Sequence, residues 1–151
     1  MKIFKRILIA EDDPKDIELT LNALREHHLA NDVLVVRDGA EALDCLYRRG
    51  KFAQEPDASP VVILLDLKMP KVDGIQVLKQ IKSDKNLKTI PVVILTSSRE
   101  SGDLETCYQL GINAYVVKPV KFTDFVEVVT EIGIFWALIN EPPPSCKSES
   151  Q

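Results

Sequence analysis

The chain is poor in cysteine and histidine, and it has no long apolar run. Its 151 residues include three cysteines and two histidines, without a CxxC pair or a Cys/His cluster, so we expect neither a disulfide framework nor a zinc site. The apolar stretches are far shorter than the ~20 residues of a membrane span. Residues 1–6 are not followed by the apolar region and cleavage site of a signal peptide. We therefore expect a cytoplasmic protein that does not associate with membranes.

The chain also lacks an excess of basic residues and a glycine-rich phosphate loop. A net charge of −4 gives no reason to expect binding to nucleic acid. Acids occupy positions 11–13, where a flavin or nucleotide carrier would place its phosphate loop, and they would repel a phosphate. Apolar residues make up 45% of the chain, which is enough for one core. We expect a single domain over residues 1–144 and a disordered tail over 145–151.

Short apolar runs alternate with segments whose apolar residues recur at helical spacing. Strands are predicted at 5–10, 31–36, 61–65, 90–95 and 114–117, and helices at 14–25, 40–49, 103–110, 122–139 and from Gly74 onward. Gly50 is expected to end the second helix, and residues 51–59 to form a polar loop. This alternation predicts an α/β fold built from right-handed βαβ units, with a doubly wound parallel sheet.

Polar residues stand where the predicted strands end. They are the acids at 11–13, Asp66, Thr96 with Ser97, and Lys118. The carboxyl ends of neighbouring parallel strands lie together, so these side chains can meet in one crevice. Clustered carboxylates repel one another unless a cation is present, and oxygen ligands suit Mg²⁺. A carboxylate, a divalent cation, a lysine and a hydroxyl together would stabilise a phosphoryl group during its transfer.

These motifs resemble the receiver domains of two-component response regulators. The resemblance spans residues 5–130 and rests on Glu11-Asp12, Leu65-Asp66 with Met69-Pro70 and Gly74, Leu95-Thr96-Ser97, and Tyr115-Val-Val-Lys118-Pro119. It implies a flavodoxin-like sheet of strand order 2-1-3-4-5 with five helices. It also implies a phosphoacceptor signalling protein and not an enzyme, apart from catalysis of its own phosphotransfer and dephosphorylation.

The resemblance assigns roles in phosphoryl transfer to five residues. Asp66 would accept a phosphoryl group from a sensor histidine kinase. Glu11, Asp12 and Asp66 would hold Mg²⁺, together with the backbone carbonyl of Lys68. Lys118 would pair with the phosphoryl group. The long side chain of Lys68 could also obstruct the attacking water and slow dephosphorylation.

The resemblance also implies a conformational switch. Thr96 would move to hydrogen-bond the phosphoryl group, and Tyr115 would turn inward or outward with it. Ser97, as a small residue, would keep the site accessible. Tyr115 is explained equally well as a strand tyrosine with its hydroxyl at the rim of the fold, and Asp13 as a surface acid or a helix cap.

Two features indicate a particular subfamily of receivers, the small response regulators that pair with cyanobacterial and bacterial phytochromes. They are the segment 133–144 and the loop 51–59. This implies a phytochrome-type kinase as the partner and a homodimer. The interface would be formed by Phe125, Phe135, Trp136 and Ile139, because a contiguous exposed aromatic patch usually marks a subunit contact. Part of this set could instead fold back on the core. We expect no output domain after residue 144, so the signal would pass by contact or by phosphotransfer to a downstream protein.

Two other functions stay open for the sequence. Phosphatases of the haloacid dehalogenase type also use an aspartyl nucleophile, but they need a second Asp two positions later, where this chain has Lys68. A phosphate-independent dimeric interaction module would keep the fold and leave the acids, Thr96 and Lys118 without a role.

Overall fold

A computed structural model describes residues 6–25, 32–54, 60–96, 101–118 and 121–131. The strands are β1 (Arg6–Ala10), β2 (Asp32–Val36), β3 (Val62–Asp66), β4 (Val92–Thr96) and β5 (Ala114–Val117). The helices are α1 (Pro14–Arg25), α2 (Gly39–Tyr47), α3 (Gly74–Ser83), α4 (Ser101–Gln109) and α5 (Phe122–Glu131). In these ranges strands and helices alternate strictly, as the periodicity predicts.

All five strands are parallel, in the order β2-β1-β3-β4-β5. The register aligns their carboxyl ends: Ala10 pairs with Leu65, Asp66 with Leu95, and Thr96 with Val117. The predicted doubly wound fold and its strand order are therefore confirmed. The register brings the residues that follow four neighbouring strands to one edge of the sheet.

The core has two layers, one on each face of the sheet, because successive strand residues point to opposite faces. Leu8, Ile63 and Ile94 pack on one face with residues of α2, α3 and α4. Ile9 and Leu64 pack on the other face with residues of α1 and α5. Strands buried on both faces explain why they appear in the sequence as continuous apolar runs.

Two predictions about the region after α2 are wrong. The helix ends at Tyr47, two residues before the predicted end, because Arg48 adopts a left-handed conformation with φ 57°. Gly50 instead begins a 3₁₀ turn, Gly50–Phe52. The side chain of Phe52 is buried in the core, so the segment predicted as a polar loop contributes to the fold.

The other described boundaries agree with the predictions to within two residues, and those of α1 and β5 agree in full. No described helix is long and apolar enough to cross a membrane. The predicted helix 122–139 is described as far as Glu131. The segment 133–144 and the tail 145–151 lie outside the described residues, so the predicted domain end stays a prediction.

Candidate functional site

The alternation along the strands places the site residues on one side of the sheet. Ile7 and Ile9 of β1 face α1 and α5, and Glu11 follows at the same spacing. On β3, Leu64 faces the same helices and Asp66 comes two residues later. The side chains of Glu11 and Asp66 therefore lie on the side of the sheet that α1 and α5 cover. Glu11 is 1% exposed and Asp66 6% exposed.

Lys118 follows β5 and reaches these carboxylates. Its backbone N–H donates to the carbonyl of Thr96 at 2.8 Å, which ties the ends of β4 and β5 together. Its ammonium Nζ donates a hydrogen bond to Asp16 Oδ2 at 3.0 Å. The same Nζ forms ion pairs with Glu11 Oε1 and, at 3.3 Å, with Asp66 Oδ2. One half-buried ammonium thus pairs with three carboxylates.

Burial and the neighbouring charges change the acidity of two of these groups. Burial raises the pKa of Glu11 from 4.5 to about 7, and Asp66 adds to the rise, whereas Lys118 and the backbone N–H of Asp13 oppose it. Burial disfavours the ammonium of Lys118, yet its pKa lies above the usual value because Glu11, Asp16 and Asp66 outweigh burial. The site therefore holds more negative charge than one lysine neutralises, and it favours a further cation.

The loop after Asp66 is held close to the end of β3. The N–H of Gly74 donates to the Leu67 carbonyl at 2.8 Å, and a Cβ on Gly74 would lie 2.3 Å from the Asp66 carbonyl oxygen. Asp73 and Gln76 form a capping box that starts α3 at this point. Only glycine allows this approach, and the loop thereby keeps the backbone of Lys68 beside Asp66.

Helix α1 begins beside the site and is capped by Asp13. The carbonyl of Asp13 accepts from Ile17 N, and its carboxylate accepts from the N–H groups of Lys15 and Asp16, at 2.8 and 3.4 Å. Asp13 thus fits both descriptions given for it, since it is an exposed acid and also caps the helix. The cap orients the first helical turn, and this turn carries Asp16 towards Lys118.

A cavity of about 220 Å³ opens over Asp66. It is lined by Glu11, Asp12, Asp13, Asp16, Asp66, Leu67, Lys68, Thr96, Asp103, Leu104 and Lys118. The lining is mostly polar and includes residues that follow β1, β3, β4 and β5. The acids in this lining outnumber the lysines, so the cavity by itself favours a cation.

The acids at this cavity fit a divalent cation. Glu11, Asp12 and Asp66 each present a carboxylate oxygen, and these three oxygens lie within 4.8 Å of one another. Asp12 is exposed, which leaves room for water on one side. Oxygen-only ligands with room for water are the ligand set that Mg²⁺ prefers.

The two residues of the predicted switch differ in exposure. Thr96 is buried at the cavity, 7% exposed. Tyr115 is 38% exposed, and its ring packs edge-to-face on Tyr108 with centroids 6.0 Å apart. In this structure Tyr115 is in the outward position. It lines a shallow groove between β5 and α5, away from Asp66.

Several predicted residues lie outside the described part of the chain. Ser97 follows β4 directly but is not described, and the same holds for Phe135, Trp136 and Ile139. Phe125 belongs to α5, although its side chain is not described. The predicted interface therefore stays a prediction.

Sequence reasoning missed two acids at the cavity. Asp16 lies in the first turn of α1 and Asp103 in the first turn of α4. Acids are common in the first turn of any helix, so neither position stood out. The signal that could have found them is that both helices begin at the carboxyl edge of the sheet.

The fold and the site define the class of doubly wound α/β domains that place their functional crevice at the carboxyl edge of a parallel sheet, here lined with acids. A family model of the response regulator receiver domain matches residues 7–130. The chain belongs to this family.

Three relatives illustrate the similarity of this chain to known response regulators, namely Rcp1, RtBRR and RcpA. Response regulator Rcp1 of Synechocystis sp. is 37% identical over 132 residues, which cover 87% of this chain and 88% of Rcp1. Its Mn²⁺-bound structure has a TM-score of 0.73 at 36% identity and covers 92% of this chain and 99% of that one.

Two further solved structures are similar over most of their length. The bacteriophytochrome response regulator RtBRR is 55% identical with a TM-score of 0.83, covering 97% of this chain and 88% of that one. The phosphorylated cyanobacterial phytochrome response regulator RcpA is 40% identical with a TM-score of 0.73, covering 88% and 94%. This chain is thus a receiver-type response regulator, and its homologues include phytochrome response regulators.

Proposed function

We propose that Asp66 accepts a phosphoryl group from a histidine kinase in a Mg²⁺-dependent reaction, and that the protein signals through the resulting change of shape. The observation that carries the proposal is the position of the Asp66 carboxylate. It lies 3.3 Å from Lys118 Nζ and within 4.8 Å of the carboxylates of Glu11 and Asp12. This places a nucleophilic oxygen between the Lys118 ammonium and the carboxylates that could hold a divalent ion. Such an arrangement is suited to phosphoryl transfer.

In the proposed reaction an Asp66 oxygen attacks the phosphorus of a phosphohistidine. The P–N bond breaks, a P–O bond to Asp66 forms, and the leaving imidazole takes up a proton from solvent. Water later attacks the phosphorus, the P–O bond to Asp66 breaks, and inorganic phosphate leaves. The protein then returns to its starting state, so it acts as a phosphoacceptor and not as an enzyme that turns over a substrate.

Glu11, Asp12 and Asp66, with the backbone carbonyl of Lys68, would hold the divalent ion. Mg²⁺ bound there would neutralise the charge of the phosphoryl oxygens. The donor set supports a hard cation, and the relative Rcp1 has been solved with Mn²⁺ bound. Lys118, whose Nζ lies 3.3 Å from Asp66 Oδ2, would donate a hydrogen bond to the phosphoryl group.

The remaining roles concern access and switching. Thr96 is buried and lines the cavity, and its hydroxyl would donate to a phosphoryl oxygen. Tyr115 would leave its outward position when Thr96 moves, and Ser97 would keep the entrance open. Lys68 is exposed at the rim of the cavity, where its side chain could obstruct an attacking water.

A phytochrome-type kinase is the proposed partner, because the relatives RtBRR and RcpA are phytochrome response regulators. A cytoplasmic location is in keeping with the free thiol of Cys107. We further propose a homodimer through Phe125, Phe135, Trp136 and Ile139, and a downstream protein that reads the phosphorylated state. A Trp136→Ala variant should dissociate in light scattering, and the variant Leu19→Ala should not, since Leu19 is an exposed residue of α1. Wild-type protein that is monomeric at every concentration would contradict the dimer.

The central experiment is intact-protein mass measurement after incubation with acetyl phosphate. Wild-type protein should gain one phosphoryl group with Mg²⁺ and none with EDTA, and hydroxylamine should remove it, because the adduct is an acyl phosphate. Asp66→Asn should gain none. Asp44→Asn is the matched control, since its carboxylate pairs with Arg49 on the surface of α2, and it should be phosphorylated like wild type.

Two results would overturn the proposal. One is the absence of any adduct under all conditions, which would favour a phosphate-independent interaction module. The other is an adduct that persists in Asp66→Asn, which would place the phosphoryl group elsewhere. Steady turnover of p-nitrophenyl phosphate would indicate a phosphatase instead. Transfer from a phytochrome-type kinase that is faster than transfer from an unrelated histidine kinase would support the partner.

A further inference from the structure

The hydrogen bond between Lys118 and Asp16 adds a residue to the site. Asp16 does not follow a strand, and it is not one of the proposed ligands of the cation. The donor is Lys118 Nζ and the acceptor is Asp16 Oδ2, at 3.0 Å. The two side chains are 10% and 28% exposed. A charge-assisted hydrogen bond between side chains that are partly shielded from water is stronger than a fully exposed surface ion pair.

Asp16 differs from the other two partners of Lys118. Glu11 and Asp66 also belong to the group of three carboxylates that can hold a divalent cation, whereas Asp16 does not. With a cation bound, Glu11 and Asp66 would be shared between the cation and Lys118. Asp16 is outside the carboxylate group that could hold the cation, so its hydrogen bond to Lys118 would not compete with the cation.

The fold provides Asp16 with a fixed position. It lies in the first turn of α1, where the carboxylate is favoured by the helix dipole. Asp13 caps this turn and accepts from the backbone N–H of Asp16. An ammonium has three N–H groups, so one fixed acceptor restricts the directions of the other two.

We propose that Asp16 is a positioning residue that holds the ammonium of Lys118 beside Asp66 and directs its N–H groups towards the phosphoryl group. The inference rests on the proposed phosphorylation of Asp66. With acetyl phosphate as donor, the P–O bond to acetate breaks, a P–O bond to an Asp66 oxygen forms, and acetate leaves as its carboxylate. A correctly directed N–H of Lys118 donates to the phosphoryl oxygens throughout this transfer.

The first test observes Lys118 directly and needs no phosphoryl donor. The ammonium groups of ordered lysines give ¹H–¹⁵N signals when exchange with water is slow, and Lys118→Arg identifies the signal of Lys118. Asp16→Ala should abolish this signal, and Asp16→Asn, which keeps an acceptor oxygen, should weaken it. Asp103→Asn is the matched control, because it removes the same charge from the same cavity without a contact to Lys118 in the described structure. Its Lys118 signal should persist.

The second test measures the rate of phosphorylation by acetyl phosphate at saturating Mg²⁺, so that weaker metal binding cannot explain a change. The phosphorylation rate of Asp16→Ala should be about tenfold lower than that of wild type, because the variant loses one oriented, charge-assisted hydrogen bond. The rate of Asp16→Asn should lie between these two. Glu18→Gln controls for the loss of a charge from α1, since Glu18 is exposed, and it should match wild type.

The outcomes separate the inference from the proposed function. An unchanged Lys118 signal in Asp16→Ala, or a wild-type rate in both Asp16 variants, would overturn the positioning role while phosphorylation of Asp66 stands. Loss of the signal together with the ordered fall in rate would support it. Wild-type protein that takes up no phosphoryl group would overturn the proposed function and, with it, the role of Asp16 in transfer.

Discussion

The metal-free protein should lose stability as the pH rises from about 4.5 to about 7, because of one buried carboxyl group. Burial raises the pKa of Glu11 from 4.5 to about 7 in the folded protein. The folded state therefore binds a proton that the unfolded chain has already released in this window. Stability from this group is fully present below pH 4.5 and is lost as the pH rises through about 7.

The size of the effect follows from the same values. A pKa of about 7 in place of 4.5 corresponds to about 3 kcal/mol of unfolding free energy above neutral pH. Glu11 is 1% exposed, so solvent screens little of this difference. Lys118 stays protonated across the window, since its pKa is raised, and it contributes no slope of its own. Replacing Glu11 with glutamine removes the titrating group and keeps its shape.

Urea denaturation followed by circular dichroism, in EDTA and at several pH values, measures the effect. Wild-type protein should become less stable between pH 4.5 and 7 relative to Glu11→Gln, by about 3 kcal/mol in total. Saturating Mg²⁺ should reduce this difference, because a bound cation favours the ionised carboxylate. Parallel pH profiles for the two proteins in EDTA would refute the reasoning, since they would show that Glu11 ionises equally easily in both states.

Three further predictions concern stability and are measured by urea denaturation. Gly74→Ala should cost about 1–3 kcal/mol, because its Cβ would lie 2.3 Å from the Asp66 carbonyl and would displace the loop; a neutral effect would mean that the loop adapts freely. Leu64→Ala should cost about 2–5 kcal/mol of unfolding free energy, since Leu64 is fully buried in β3. Leu19→Ala, at a 47% exposed position, should change it by less than about 0.5 kcal/mol. Equal costs for the two variants would contradict the assigned core. Asp13→Ala should cost about 1 kcal/mol through loss of the α1 cap, and Asp13→Ser, which keeps a capping oxygen, should restore most of it.

The strand pattern could be read from the sequence because each strand is buried on both faces. Runs such as residues 61–65 are apolar without interruption, and only a sheet covered by helices on both sides requires that. The position of Asp66 follows from the same rule, since a carboxylate directly after such a run lies at the carboxyl edge of the sheet. Local residue chemistry was sufficient for the fold and for the meeting of Glu11, Asp66 and Lys118.

Local chemistry was not sufficient where a contact depends on packing. The left-handed Arg48 and the burial of Phe52 follow from how the end of α2 meets the core, and their sequence looks like an ordinary polar turn. The exposure of Tyr115 depends on its edge-to-face contact with Tyr108 from a different element.

The hydrogen bond between Asp16 and Lys118 shows this limit most clearly. The two residues are 102 positions apart, and each has an ordinary local explanation, as a first-turn acid and as a lysine after a strand. Their contact exists because α1 packs on the face of the sheet to which β5 directs Lys118. Residue types and spacing predicted which groups gather at the edge of the sheet, whereas the placement of the helix determines which carboxylate holds the ammonium.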